Sequence, residues 1–311
     1  MVLKSWLWCS VLGLVLTAAI WGVSNNKEAT SYSDIEEKVS QSSGESVEKP
    51  LFLAQEDTVA NEAVLAAIAP NQVIYLAETH DDPADHAAQL QIIQTLSEQG
   101  DIAIALEMFQ RPFQSALDGY LSGQLSETEL IAASEYETRW GFDWEFYAPI
   151  LRYAKENSIP LIALNTPAEI TRKVATSGLE SLAGEELTYI PPISDIDLSN
   201  ADYKEQIANI FSAHGGMGHS LNIDNFFAAQ VLWDETMAEG IAMQIEAQPD
   251  RQVIVLAGEG HILYDYGIPD RVERRVPSIK QSSVRLIPSQ PEENPSESQP
   301  ASDFVWITNA Q

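Results

Sequence analysis

The sequence predicts an α/β fold: a mainly parallel central sheet with helices on both faces, preceded by an N-terminal apolar anchor helix. Three observations predict it. From Val73 onward, short runs of continuous apolar residues alternate with stretches of helical periodicity. Runs that are apolar at every position suit strands buried on both faces, and such strands need helices on either side. Ahead of them, Ser5 to Val23 carries no charge and follows Lys4, the pattern of a signal or anchor segment.

The anchor is justified by length. At 1.5 Å per residue its helix would span ~28 Å, close to a bilayer core. Thr17-Ala18-Ala19 makes a poor cleavage site. An uncleaved anchor over residues 1–23 is therefore expected, with Lys4 cytoplasmic and the rest exported, facing the periplasm or extracellular side. Residues 24–57 are rich in Ser, Glu, Asn and Lys, a composition that reads as a disordered linker.

The domain itself is expected over residues 58–311. Val73–Ala77 forms the first strand. Asp82-Pro83 then supplies an N-cap and a proline at the first helical position, and Asp85 suits the first turn. His86, Leu90 and Ile93 mark that helix, and Gly100 stops it. Ile102–Leu106, Pro160–Leu164 and Gln252–Ala257 are the next strands. Helices are expected from about Trp144 to Asn157 and from about Leu221 to Ile245. Pro288 to Ser302 reads as a disordered loop, and Phe304–Thr308 beyond it as a strand.

Composition excludes several functions. The 311 residues include 17 basic and 46 acidic side chains, a net charge of −29. That is the wrong sign for nucleic acid or anionic headgroups. Cys9 is the only cysteine and lies in the apolar N-terminal run. An intrachain disulfide, a Cys-based zinc site and a Cys-ligated cluster are thereby excluded. No serine elbow, Walker A lysine or dinucleotide glycine fingerprint is present.

The polar residues that matter fall just past the strands. Glu78-Thr79-His80 ends the first, Glu107 the second, Asn165 the third, and Gly258-Glu259-Gly260-His261 the fourth. In open parallel sheets that carboxyl edge is where ligands bind. Imidazoles act as acid, base or metal ligand near neutral pH, and carboxylates orient them. Glu78, His80, Glu107 and His261 are therefore the candidate catalytic set, and equally the ligands of a shared divalent metal. Glu78 and His80, two apart, point the same way if extended. Gly258 and Gly260 would let the chain turn sharply to present His261.

Other candidates divide between function and packing. His86 sits in the first turn of its helix, close enough to reach the site, but also on the apolar stripe. His214 and His219 flank Gly215-Gly216-Met217-Gly218, which reads as a surface loop. Gln230 and Asp234 interrupt an apolar stripe at i, i+4. Buried there they need partners, either a neighbouring strand or the site. Arg139 to Tyr147 is the densest aromatic stretch, suited to core packing or to the wall of a flat ligand.

The chain resembles the ChaN-like haem-binding lipoproteins, within the superfamily that includes TIKI-type proteases and erythromycin-esterase-like hydrolases. The matching stretches are Val73–His80 with Asp81–His86, Ala105–Phe113, Arg139–Trp144, Ile162–Asn165, Ala229–Ala238, Leu256–His261 and Gly267–Arg271. The resemblance implies a haem-binding role linked to iron uptake, with two copies able to hold stacked haems. It implies tyrosine ligation of the iron, for which Tyr264, Tyr266 and Tyr147 are candidates by position. His86, Asn165 and Arg271 join them as candidate cofactor-binding residues. The alternative implied by the enzymatic relatives is a metal-dependent hydrolase using Glu78, His80, Glu107 and His261. Two departures stand out: Ala77 replaces the family's usual glycine, and Cys9 is poorly placed for lipidation.

Overall fold

The computed structural model describes residues 57–213, 222–288 and 301–308. The expected anchor, almost all of the linker, His214, His219 and residues 289–300 of the expected loop lie outside the described residues. Among the described residues no helix is long and apolar enough to cross a membrane.

Six strands form one sheet: β1 (Val73–Glu78), β2 (Ile102–Gln110), β3 (Leu161–Asn165), β4 (Gln252–Gly258), β5 (Gln281–Pro288) and β6 (Phe304–Thr308). Their spatial order is β3-β2-β4-β1-β5-β6, and every pairing is parallel. The parallel α/β architecture expected from the apolar runs is thus present. β5 was not expected as a strand.

Residues at successive positions of a strand face opposite sides, so the sheet has two cores. Ile74, Leu76, Ile104, Leu106, Ile254 and Leu256 face one helix layer. That layer includes α1 (Asp57–Ile68), α2 (Pro83–Ser97), α3 (Gln114–Leu121), α4 (Glu127–Ala133) and α5 (Trp144–Glu156). Tyr75, Ala77, Ala105, Val255 and Ala257 face the other. After α6 (Ala168–Ser177) and α7 (Ala201–Ala213), that second layer is built by α8 (Ile223–Ala247) and α9 (Ile268–Arg275). Each fully buried Leu or Ile contributes ~1.5–3 kcal/mol relative to exposure.

Helix starts follow local chemistry. The Asp82 carboxylate accepts from the Ala84 N–H at 2.8 Å, and Pro83 opens α2. Asp143 caps α5 through Glu145 N–H, and Asn222 caps α8 through Asp224 N–H. At the far edge, Asn61 of α1 donates to the Ile307 carbonyl and accepts from the Ile307 N–H. One side chain thus occupies the edge of β6 as another strand would. Pro288 closes β5, and Ala301, buried on the second face, accepts from Tyr264 N–H.

Candidate functional site

β2, β4 and β1 are neighbours in the sheet, so Glu107, Gly258 and Glu78 arrive together at the carboxyl edge. Alternation continues to the strand ends. Glu78 follows Ile74 and Leu76 toward the first helix layer, and Glu107 follows Ala103 and Ala105 toward the second. Two buried networks result, one on each face.

The first centres on Glu78, which is fully buried. Its Oε1 takes the Tyr147 hydroxyl at 2.5 Å and pairs with His80 Nδ1 at 2.8 Å. Its Oε2 accepts from Gln89 Nε2 at 2.6 Å, with His86 Nδ1 at 3.9 Å. Burial pushes this carboxyl up. The nearby His86, His80 and Tyr147 groups outweigh that and hold it down at about 2. The His80 ring packs against Trp140 and Phe142, at 4.8 and 4.9 Å, and those two rings also touch each other. Burial opposes its protonation, but the hydrogen bond to Glu78 and the Glu107 charge raise its pKa.

The second network runs through His261. Its Nδ1 meets Asp234 Oδ1 at 2.6 Å and its Nε2 lies 3.4 Å from Glu107 Oε1. Asp234 Oδ2 accepts from the Tyr203 hydroxyl at 2.8 Å, and that hydroxyl oxygen accepts from Gln230 Nε2 at 3.1 Å. Burial opposes charging of His261, yet the Glu107 charge and the Asp234 hydrogen bond lift its pKa to about 10. Burial likewise works against the Glu107 carboxylate, but the His261 charge and hydrogen bond, the His80 charge and the Gly258 N–H together outweigh it and lower the pKa.

The networks meet at Gly258. Its N–H donates to Glu107 Oε2 at 2.8 Å. A Cβ there would stand 2.8 Å from His80 Nε2 and Cε1, and 3.8 Å from Glu107 Oε2. Its backbone, φ −62 and ψ 150, is open to any residue. The glycine therefore makes room for His80, and the sharp turn expected of Gly258 and Gly260 is instead a single helical turn, Glu259–Ile262.

Glu78, His80, Glu107 and His261 thus converge as their strand-end positions predicted. A shared metal is a different matter. Among the described residues, no group of three or more His, Asp and Glu is arranged to hold an ion. The geometric reason is that both oxygens of Glu78 and both of Glu107 already face donors within the protein. The divalent ion expected from residue type finds no free carboxylate oxygen on Glu78 or Glu107 in this arrangement.

The remaining candidates scatter. His86 is buried, with Nε2 on the His80 carbonyl at 3.0 Å and Nδ1 on Gln89 at 3.1 Å, stacked on Phe146. It supports the first network. Asn165 Nδ2 donates to the Glu107 carbonyl at 2.9 Å. Tyr147 is fully buried, and burial and the Glu78 charge raise its pKa well above the phenol range. Its oxygen is not available to a haem iron. Arg271 is buried and holds backbone carbonyls and Glu235 rather than an open surface. Tyr264 and Tyr266 are half-buried, with rings stacked 5.8 Å apart. Of the three candidate tyrosines, only these two are not fully buried.

Asp234 and Gln230 belong to the site, resolving the alternative left by the helix stripe. Tyr203, Gln89 and Asp85 were missed. Tyr203, Ile207, Ile210 and Phe211 follow helical spacing, which could have marked α7 and its buried face. Gln89 lies one helical turn after His86. Asp85, read as a first-turn residue, is buried and accepts from the Thr79 N–H at 2.8 Å.

The solved structure of ChaN from Campylobacter jejuni, described as binding haem cofacially, is similar with a TM-score of 0.58. It shares 21% identity, covering 74% of this chain and 87% of that one. An erythromycin esterase mutant in its open conformation gives a TM-score of 0.45 at 16% identity, over 77% of each chain. The chloroplastic protein RETICULATA-RELATED 5 of Arabidopsis thaliana is 25% identical over 255 residues, 77% of this chain. The chain spans 34% of the length of that relative. The family described as haem-binding uptake, Tiki superfamily, ChaN matches residues 64–272, more than half of the chain and all four converging residues. The chain belongs to that ChaN haem-binding family.

Proposed function

We propose that this chain binds haem at the carboxyl edge of its sheet, with a tyrosine of the Tyr264–Tyr266 pair facing the iron. The observation that carries the reading is where that pair stands. It follows His261 by a few residues, in a turn where Tyr264 and Asp265 hold successive left-handed conformations, φ 60 and 59. Strain of that kind in non-glycine residues persists where the surroundings enforce it, commonly at ligand sites. Rings held in advance lose little freedom on binding. Family membership supports haem as the ligand. Bound haem would supply a redox-active iron and a strong absorbance. The protein's own part is to present a phenol, with Tyr203 of the His261 network packed behind Tyr266.

The cofacial haems of the Campylobacter relative support a homodimer that encloses stacked haems. The apolar Ser5–Val23 segment supports a membrane-tethered, exported protein serving haem or iron uptake. The test is a haemin titration of the purified protein. A saturable Soret shift is expected, kept in His80→Ala and lost in Tyr264→Phe or Tyr266→Phe. Absence of saturable binding at micromolar haemin would overturn the proposal.

A second reading is favoured by one observation. Each imidazole is oriented by a carboxylate through Nδ1, leaving Nε2 of His80 toward Gly258 and Nε2 of His261 toward Glu107. That is an arrangement for general acid–base hydrolysis. Screening ester and amide substrates with His80→Ala and His261→Ala as controls tests it. Turnover unchanged by both substitutions would exclude it.

A further inference from the structure

α8 presents two successive carboxylates, Asp234 and Glu235, both fully buried. Successive helical residues point about 100° apart, so the two reach different targets. Asp234 holds His261 at one end of the following turn. Glu235 reaches α9, where Arg271 Nε lies 3.3 Å away, and Arg274 and Arg275 approach to 2.6 Å. Arg271 Nη1 in turn donates to the Tyr266 carbonyl, and to the Gly267 carbonyl at 2.9 Å. The far end of the turn is thereby held as well.

The turn between these grips has little freedom to spread a displacement. A Cβ at Gly267 would stand 2.1 Å from the His261 carbonyl oxygen, so the chain closes directly back on His261. Tyr264 and Asp265 between them are both left-handed. Left-handed non-glycine residues relax when their restraints are removed. Arg274 also binds Glu235, but its remaining contacts go to the Asp195 carbonyl and to Asp197, outside the turn.

We propose that Arg271, oriented by Glu235, is a positioning residue that clamps the His261–Gly267 turn and so sets the direction of the Tyr264–Tyr266 pair, touching no ligand itself. Only the haem arm of its test rests on the haem-binding reading. Nη1 alone serves both carbonyls, at the end of a rigid guanidinium whose Nε lies in ion-pair range of Glu235 without a hydrogen bond, and an ammonium on a flexible stem lacks that fixed geometry. Arg271→Lys keeps the charge beside Glu235 and loses the clamp. Arg274→Ala removes a contact to Glu235 and spares the clamp.

Two measurements on the full protein separate the possibilities. Hydrogen exchange of the amides at 262–267 is expected to quicken at least about tenfold in Arg271→Lys and to hold steady in Arg274→Ala. The haemin dissociation constant is expected to rise about tenfold in Arg271→Lys and to stay within about twofold in Arg274→Ala. Equal exchange in the two variants would overturn the clamp, whether or not haemin binds. Faster exchange in Arg271→Lys with no haemin binding by the unsubstituted protein would uphold the clamp and reject the haem reading. Faster exchange with unaltered haemin affinity would overturn the link to the tyrosines.

Discussion

Replacing Gly258 by alanine isolates the contact on which the two networks meet. The added methyl stands 2.8 Å from two His80 ring atoms. His80 cannot retreat freely, because Glu78 holds Nδ1 and the ring packs against Trp140 and Phe142. Overpacking of this kind costs ~1–3 kcal/mol. Backbone strain adds nothing at φ −62 and ψ 150. Alanine also restricts the unfolded chain, which stabilises by ~0.4–1 kcal/mol at a compatible position. The net expectation is a loss of up to ~2.6 kcal/mol. In a His80→Ala background the clash is gone and only the entropic gain remains, so the sign reverses to a gain of ~0.4–1 kcal/mol. Urea unfolding of the protein, the two single variants and the double variant, followed by tryptophan fluorescence, measures all four corners. Gly258→Ala stabilising both backgrounds equally would refute the steric account of this glycine.

Further expectations concern charge and the sheet edge. His261 is raised from 6.5 to about 10 by folding, so its stabilising contribution is fully present below pH 6.5 and lost as pH rises through about 10. Unfolding midpoints between those limits should fall with pH, and Asp234→Asn should flatten the slope. Burial, opposed by the Thr79 N–H, raises Asp85 from 3.8 to about 8. Folding therefore favours its protonated form, and the resulting penalty grows as pH rises from 3.8 toward 8. Asp85→Asn, which can still accept from Thr79 N–H, should be more stable than the unsubstituted protein by ~1–3 kcal/mol at alkaline pH. The difference should shrink toward pH 4, as denaturant titrations at both ends would show. Asn61→Ala removes both hydrogen bonds to Ile307 and should cost ~1–3 kcal/mol in the same assay.

The converging residues were legible because each follows an apolar run. Val73–Ala77, Ile102–Leu106 and Gln252–Ala257 announce buried strands, and whatever comes next lies at one edge. What the run cannot announce is orientation within that edge. Asp234 and Gln230 were visible as polar breaks in a helical stripe, but their target was settled only by how α8 crosses the sheet. Tyr203 escaped because α7 reaches the site from outside any strand. β5 escaped because Ser282, Ser283 and Arg285 break its apolar run, although both serines are buried. A metal was expected from residue types that in three dimensions are paired with one another. Gly258 was read as a conformational residue because contacts with His80, 178 positions earlier, are invisible in sequence spacing.

The central claim is that haem lies at the carboxyl edge beside Tyr264 and Tyr266. Anomalous scattering at the iron edge from crystals grown with haemin locates the metal directly. The account predicts the iron beside one of those two phenol oxygens, on the His261 side of the sheet. Iron in the cleft at the opposite edge, between Pro70, Gly100 and Pro249, would contradict it.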